Sequence, residues 1–343
     1  MRDFAILEAT ARAMVAPGKG ILAADESSGT IKKRFENINL ESTEANRRAY
    51  RHMLFTTGGI EEFISGVILY DETLRQRALD APETPFPKLL ADRGIIPGIK
   101  ADTGARPLAG FPGELVTEGL DGLRKRLAEY RDLGARFAKW RAVITIGDGI
   151  PTRTCIDANA HALARYAALC QEADIVPIVE PEALMDGSHD IDRCDEVTEA
   201  TLKRVFFALH EHRVRLEGIV LKPSMVLSGS TCPEQAGVEE VAERTVRNFL
   251  RNVPAAVPGI AFLSGGQSSE LATAHLNAMN ALFDHLPWEL SFSYGRALQE
   301  APLKTWRGEA ANAPLAQKAF YHRARCNGAA RYGRYSREME RAA

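Results

Sequence analysis

Eight short β-prone runs recur along the 343-residue chain, and nothing else in the sequence narrows its fold so far. They are GILAAD (20–25), FISGVILYD (63–71), GIIPGIKAD (94–102), FAKWRAVITI (137–146), IVPIVEPE (175–182), EGIVLKPS (217–224), GIAFLSGG (259–266) and WELSFSYG (288–295). Between most of them lie segments with helical periodicity, at about 41–57, 119–133, 157–173, 193–212, 237–251 and 268–282. Strands that alternate with helices imply right-handed βαβ crossovers and a parallel sheet, and eight such units are the number that closes a (β/α)8 barrel. The expected class is therefore α/β, a single-domain TIM barrel over 1–343 with its core at about 18–300. A helix at about 4–14 precedes it, and an Arg-rich helix with a short tail follows at about 312–343. No linker-like stretch separates two halves. An open doubly wound sheet explains eight evenly spaced units less well, and no G-x-G-x-x-G follows a strand.

Composition excludes several function classes. Lys+Arg 43 against Asp+Glu 45 leaves a formal net charge of -2, too balanced for a nucleic-acid binder that relies on bulk electrostatics. No apolar stretch is long enough to span a bilayer, and the N-terminal MRDFAILEATARAM has acidic residues and no processing-site pattern. Five scattered cysteines suit a reducing cytoplasm better than a disulfide framework.

In a barrel of this kind, residues at the C-terminal ends of the strands share one site whatever their separation in sequence. Here those ends carry Asp25, Glu26, Asp71, Glu72, Lys100, Asp102, Lys139, Arg141, Glu180, Glu182 and Lys222. Buried charge is expensive, so such a collection needs mutual pairing or a charged ligand. Three of these residues are lysines that end or lie within β-prone runs. An amine drawn out of water beside other cations shifts toward its neutral, nucleophilic form, which points to imine chemistry on a carbonyl substrate. Lys222 is the leading nucleophile, since Gly218-Ile219-Val220-Leu221 precedes it and Pro223 keeps its backbone extended. Lys139 and Arg141, two apart on one strand, would point the same way and lower its pKa from across the barrel.

The seventh and eighth runs end in Ser264-Gly265-Gly266 and Ser293-Tyr294-Gly295-Arg296, where backbone N–H groups stand unobstructed. Phosphate sites in this fold form at these two strands, and Arg296 supplies a charged fork. Metal chemistry has little support. None of the eight histidines falls at a predicted strand end with a second ligand nearby, and there is no H-E-x-x-H or paired C-x-x-C.

These segments resemble the class I fructose-bisphosphate aldolases. The likeness runs through GKGILAADESSGTIKKRF (18–35), GVILYDETL (66–74), GIKADTG (98–104), PLAGFPGE (107–114), FAKWR (137–141), IVPIVEPE (175–182), LEGIVLKPSMV (216–226), FLSGGQS (262–268) and LSFSYGRALQ (290–299). The resemblance implies reversible cleavage of fructose 1,6-bisphosphate to dihydroxyacetone phosphate and glyceraldehyde 3-phosphate, with no cofactor and no metal. It implies that Lys222 forms the Schiff base, Asp25 handles the C4 hydroxyl proton, Glu180 moves protons during imine formation and hydrolysis, and Lys139 and Arg141 assist. Ser264, Gly265, Gly295 and Arg296 would take the phosphate near the ketone. Ser27, Thr30, Lys33, Arg34 and Lys100 would surround the other phosphate and the hydroxyls. Its partners would be phosphorylated ketoses and trioses and further copies of the chain, as a homotetramer. Thr30 replaces a serine of the animal members and keeps the hydroxyl, and Thr103 stands where many relatives carry lysine. The sequence ends Arg341-Ala342-Ala343, without the terminal tyrosine of the animal members. These departures leave open proton exchange at the enamine, the preference between one- and two-phosphate substrates, and the closing motion. A zinc-dependent aldolase, another Schiff-base barrel enzyme and a non-catalytic scaffold are the competing readings.

Overall fold

The computed structural model describes residues 4–342; of the expected 1–343 domain, the first three residues and Ala343 lie outside it. Ten strands occur in chain order: β1 (Gly20–Ala24), β2 (Ile64–Leu69), β3 (Ile96–Lys100), β4 (Gly104–Pro107), β5 (Leu115–Glu118), β6 (Phe137–Ile144), β7 (Val176–Ala183), β8 (Val220–Leu221), β9 (Gly259–Phe262) and β10 (Glu289–Tyr294). Eight of them, in the order β1-β2-β3-β6-β7-β8-β9-β10, close a parallel barrel in which β10 pairs back onto β1. All eight expected runs supply a barrel strand.

Twelve α-helices accompany them: α1 (Ala5–Met14), α2 (Ser28–Glu36), α3 (Glu44–Phe55), α4 (Asp71–Arg75), α5 (Phe86–Asp92), α6 (Leu123–Asp132), α7 (Arg153–Glu172), α8 (Ile191–Glu211), α9 (Val238–Asn252), α10 (Ser269–Leu282), α11 (Arg296–Trp306) and α12 (Ala313–Ala330). A short 3-10 segment, Arg337–Ala342, follows α12.

Several features depart from the sequence expectation, among them the short helices α2, α4 and α5, which no expected helical segment covers. β4 and β5 form an antiparallel hairpin between the third and fourth barrel strands, where a Gly- and Pro-rich stretch reads as loop. The hydroxyl of Thr117 in β5 ties it to the barrel by donating to the Arg141 carbonyl at 2.7 Å. The sixth run, expected over 217–224, pairs as a strand only at Val220–Leu221. Its first residues turn into a 3-10 segment at Leu216–Gly218, and Pro223 has no N–H to offer, so the last ladder bond the run donates goes from Lys222 N–H to the Val179 carbonyl at 2.8 Å. The helix α11, which holds Pro302, also lies outside the expected helical segments.

The foot of the barrel is closed by α1. Its buried Leu7, Ala11 and Met14 fall at i, i+4 and i+7 and pack with Ile21, Phe137, Val176, Val220 and Ala261 inside the strands. Phe137 fits because its neighbours give way: a Cβ on Gly98 would lie 2.3 Å from its ring. Outside the strands a second core joins sheet to helices, for example Trp140 of β6 against Tyr166 of α7 with ring centroids 5.4 Å apart.

Candidate active site

Side chains two apart on a strand share a face, so the inward rows that begin as Phe137, Val176 and Val220 at the foot continue to Lys139 and Arg141, Glu180 and Glu182, and Lys222 at the mouth. Asp25 follows the end of β1 in the same way. Four of these residues form a chain of alternating charge. Lys139 Nζ lies 2.7 Å from Asp25 Oδ2 and 3.5 Å from Glu180 Oε2, and Glu180 Oε1 lies 3.1 Å from Lys222 Nζ. None is more than 9% exposed. Burying a lone ion costs several kcal/mol, so the alternation is what makes this cluster tolerable.

The same geometry fixes the charge states of two members. Burial alone would raise the Asp25 pKa, but the ammonium of Lys139, with Lys222 and Lys100 behind it, draws it down to about 2. Burial alone would lower the Lys139 pKa, yet Asp25 and Glu180 push it above the ordinary amine range. Lys139 is thus a firm ammonium, against the expectation that each strand-end lysine drifts toward neutrality; its carboxylate neighbours outweigh its lost hydration. The cations expected to bear on Lys222 are also turned elsewhere. Arg141 grips Glu182, its Nη2 at 2.9 Å from Oε1, and the charged group in contact with Lys222 is Glu180. Lys100 folds back onto Asp102, donating to its carbonyl at 2.8 Å and its carboxylate at 2.5 Å.

A cleft of about 480 Å³ opens above this chain, and it is lined by all fourteen residues to which the sequence assigned catalysis or substrate binding. On one side Ser27 caps α2, its Oγ accepting from Thr30 N–H at 3.4 Å and lying 3.1 Å from Thr30 Oγ1. Lys33 and Arg34 follow on that helix. On the other side Gly265 adopts a left-handed φ of 54°, which favours glycine, and Arg296 Nη2 donates to its carbonyl. Gly295 immediately precedes α11, whose first residue is Arg296. Ser293 is buried, and its Oγ has no hydrogen-bond partner.

Three strand-end acids do not line the cleft; Asp102 is buried against Lys100. Asp71 pairs with Arg75 and Glu72 with Arg47, because the chain turns into α4 as β2 ends. Sequence reasoning gave no role to Glu26, which anchors Arg34. Its carboxylate also accepts from Arg51 Nη2 at 2.5 Å and Gln299 Nε2 at 2.8 Å. Those partners come from α3 and α11, remote in sequence from Glu26.

None of the eight histidines lines the cleft. Among the described residues the group with metal-ligand spacing is His322, Cys326 and Glu340, and Glu340 is already held by Arg323 at 2.5 Å and Tyr335 at 2.7 Å.

Comparison with known proteins identifies the family. The family model described as Glycolytic, fructose-bisphosphate aldolase class-I, matches residues 6–343. A "Probable fructose-bisphosphate aldolase class 1" of Xanthomonas campestris pv. campestris is 63% identical over 330 residues, covering 96% of this chain and 98% of that protein. "Fructose-bisphosphate aldolase 6, cytosolic" of Arabidopsis thaliana is 56% identical, covering 93% and 88%. The solved Plasmodium falciparum fructose-bisphosphate aldolase, in a ternary complex with TRAP and a small-molecule inhibitor, superposes with a TM-score of 0.95 at 50% identity, covering 97% of this chain and 95% of that one. No helix among the described residues is long and apolar enough to cross a membrane. The chain belongs to the class I fructose-bisphosphate aldolase family, the metal-independent carbon–carbon lyases.

Proposed function

We propose that this chain cleaves fructose 1,6-bisphosphate through an imine on Lys222. The observation that carries the reading is the buried Asp25–Lys139–Glu180–Lys222 chain at the floor of a cleft flanked on both sides by hydroxyl, glycine and cationic residues. Lys222 Nζ attacks the C2 carbonyl, and the carbinolamine loses water to give an iminium. Glu180 is the proton carrier for that step. Its Oε1 lies 3.1 Å from Lys222 Nζ, so it can take and return a proton beside the reacting nitrogen.

The iminium then draws the electron pair of the C3–C4 bond as that bond breaks, while Asp25 accepts the C4 hydroxyl proton. Glyceraldehyde 3-phosphate departs. The remaining enamine is protonated at C3, and hydrolysis returns dihydroxyacetone phosphate and free Lys222. Asp25 is ionised throughout the physiological range, as a proton acceptor must be, and Lys139 keeps it so. Ser264, Gly265, Gly295 and Arg296 receive the ketone-side phosphate; Ser27, Thr30, Lys33, Arg34 and Lys100 receive the other. Arg141 lines the cleft between them.

The chain is read as one catalytic domain that works in the cytoplasm as a homo-oligomer, a tetramer by family likeness. The deciding experiment is borohydride reduction in the presence of fructose 1,6-bisphosphate and excess chelator, followed by peptide mapping. The mass of the substrate fragment or the intact hexose belongs on Lys222. Its appearance on Lys100 or Lys139, or no trapping at all while activity persists, overturns the assignment.

A further inference from the structure

The Ser264-Gly265-Gly266-Gln267 turn ends in a side chain to which neither sequence nor proposed chemistry gives a task. Gln267 is 4% exposed, and its amide is held at both ends. Its Oε1 lies 2.6 Å from Nδ1 of His275, on the second turn of α10 and 2% exposed. An amide oxygen only accepts, so Nδ1 of His275 carries the proton. The ring is neutral at physiological pH, since burial lowers its pKa to about 4.

With Oε1 so engaged, the amide nitrogen faces the Ser264 carbonyl at 3.1 Å and Met225 Sδ at 3.7 Å. The backbone N–H of Gln267 donates to the same carbonyl at 3.1 Å. Two donors thus pin one carbonyl toward Gln267. In a trans peptide, C=O and the next N–H point to opposite sides. Fixing the Ser264 carbonyl therefore turns the Gly265 N–H away from Gln267, at a residue that lines the cleft.

We propose that Gln267 and His275 are positioning residues that hold the Ser264–Gly265 peptide in the orientation that receives a phosphate, and that they thereby set the preference for phosphorylated over free ketoses. The inference rests on the proposed ketone-side phosphate site. Met225, three residues beyond Lys222, is the second contact of the Gln267 amide and links the turn to the strand that carries the nucleophile.

The test uses the full chain and two ketones that differ only in phosphate, dihydroxyacetone phosphate and dihydroxyacetone. Binding of the first is measured by calorimetry, and half-saturation of borohydride trapping is measured for both. Gln267→Met keeps the shape of the side chain and removes both polar ends. It should weaken dihydroxyacetone phosphate by about tenfold, the worth of one buried hydrogen bond, and leave trapping by dihydroxyacetone within about twofold. His275→Leu should behave alike. His275→Asn, whose amide N–H replaces Nδ1–H, should restore most of the loss.

Equal weakening of both ketones in a variant whose melting temperature is unchanged overturns the proposal, as does unchanged phosphate affinity. A His275→Asn variant as weak as His275→Leu removes His275 from it. If the wild-type chain traps neither ketone, the imine reading fails, and calorimetry with dihydroxyacetone phosphate still decides the role of the turn.

Discussion

The two ends of the barrel interior are built by the same strands and obey opposite rules. At the foot, Phe137, Val176, Val220 and Ile21 meet the buried face of α1 and exclude water without a single charge. At the mouth, later inward positions on those strands or just beyond them, Lys139, Glu180 (one inward step beyond Ile178), Lys222 and Asp25 (one beyond Ala23), are ionic and also buried. The foot is stabilised by area removed from water and needs no particular partner for each atom. The mouth depends on pairing, because each ion there is worth keeping only while its neighbours of opposite sign stay in place. A substitution at the foot should therefore be felt as lost stability, and one at the mouth as lost chemistry.

The largest expected effect lies at the mouth. Asp25→Asn keeps shape and removes the carboxylate, so turnover should fall by about 10²- to 10⁴-fold, the range for a positioned acid or base. Imine formation should survive, and borohydride should then trap abundant hexose adduct on an almost inactive protein. Glu180→Gln should instead slow the appearance of adduct. Rapid-quench measurements distinguish the two. Normal cleavage from a preformed adduct in the Asp25 variant, or normal adduct formation in the Glu180 variant, would show the roles to be misassigned.

At the foot the expected effect is on folding. A methyl on Gly98 would stand 2.3 Å from the Phe137 ring, a fully buried side chain with nowhere to move. Gly98→Ala should cost about 3 kcal/mol, as overpacking of a filled core does. Per folded molecule, the trapping rate at Lys222 should stay close to wild type. A urea titration that finds the variant as stable as the parent breaks the contrast between the two ends.

That contrast explains what could be read from sequence. Strand runs show because foot positions must be apolar, and mouth residues show because charge at the end of an apolar strand is conspicuous; both signals are local. The β4–β5 hairpin was missed because its stability comes from anchors such as Thr117 on the Arg141 carbonyl, outside its own residues. The helix α11 escaped notice because it begins at Arg296, within the stretch read as the end of the eighth strand. The pairing of Lys139 with Asp25 joins residues 114 positions apart, and only barrel closure through strand order brings them together. Without that contact the charge state of Lys139 is misjudged.

A smaller effect is expected at the rim, where the cleft meets solvent. Arg296 is exposed and donates to the Gly265 carbonyl. Arg296→Ala should weaken dihydroxyacetone phosphate by about 2 kcal/mol, within the range for a hydrogen bond to a charged group. Stability should not change measurably, because an exposed contact contributes little. An unchanged dissociation constant would remove Arg296 from the phosphate site.

The smallest effect, in acid, sharpens the comparison further. In the unfolded chain Asp25 titrates near 3.8, and in the folded chain near 2. A carboxylate with a depressed folded pKa contributes stability that is fully present above the unfolded value and is lost as pH falls through the folded one. Its share is at most about 2 kcal/mol, and it should disappear between about pH 4 and pH 2. His275 also has a depressed folded pKa, about 4 against 6.5, but there the neutral form is the folded one. The unfolded chain binds the extra proton first, so this stability is present above 6.5 and is lost as pH falls toward 4. The two acid losses thus occupy separate windows, an upper one from a neutral ring on α10 and a lower one from the charged mouth. Urea midpoints followed from pH 7 to pH 2 should show the gap between wild type and Asp25→Asn constant above pH 4 and shrinking below it, while His275→Asn removes only the upper decline. If the Asp25→Asn curve runs parallel to wild type all the way to pH 2, the buried charge chain does not hold Asp25 ionised, and the ionic description of the barrel mouth fails with it.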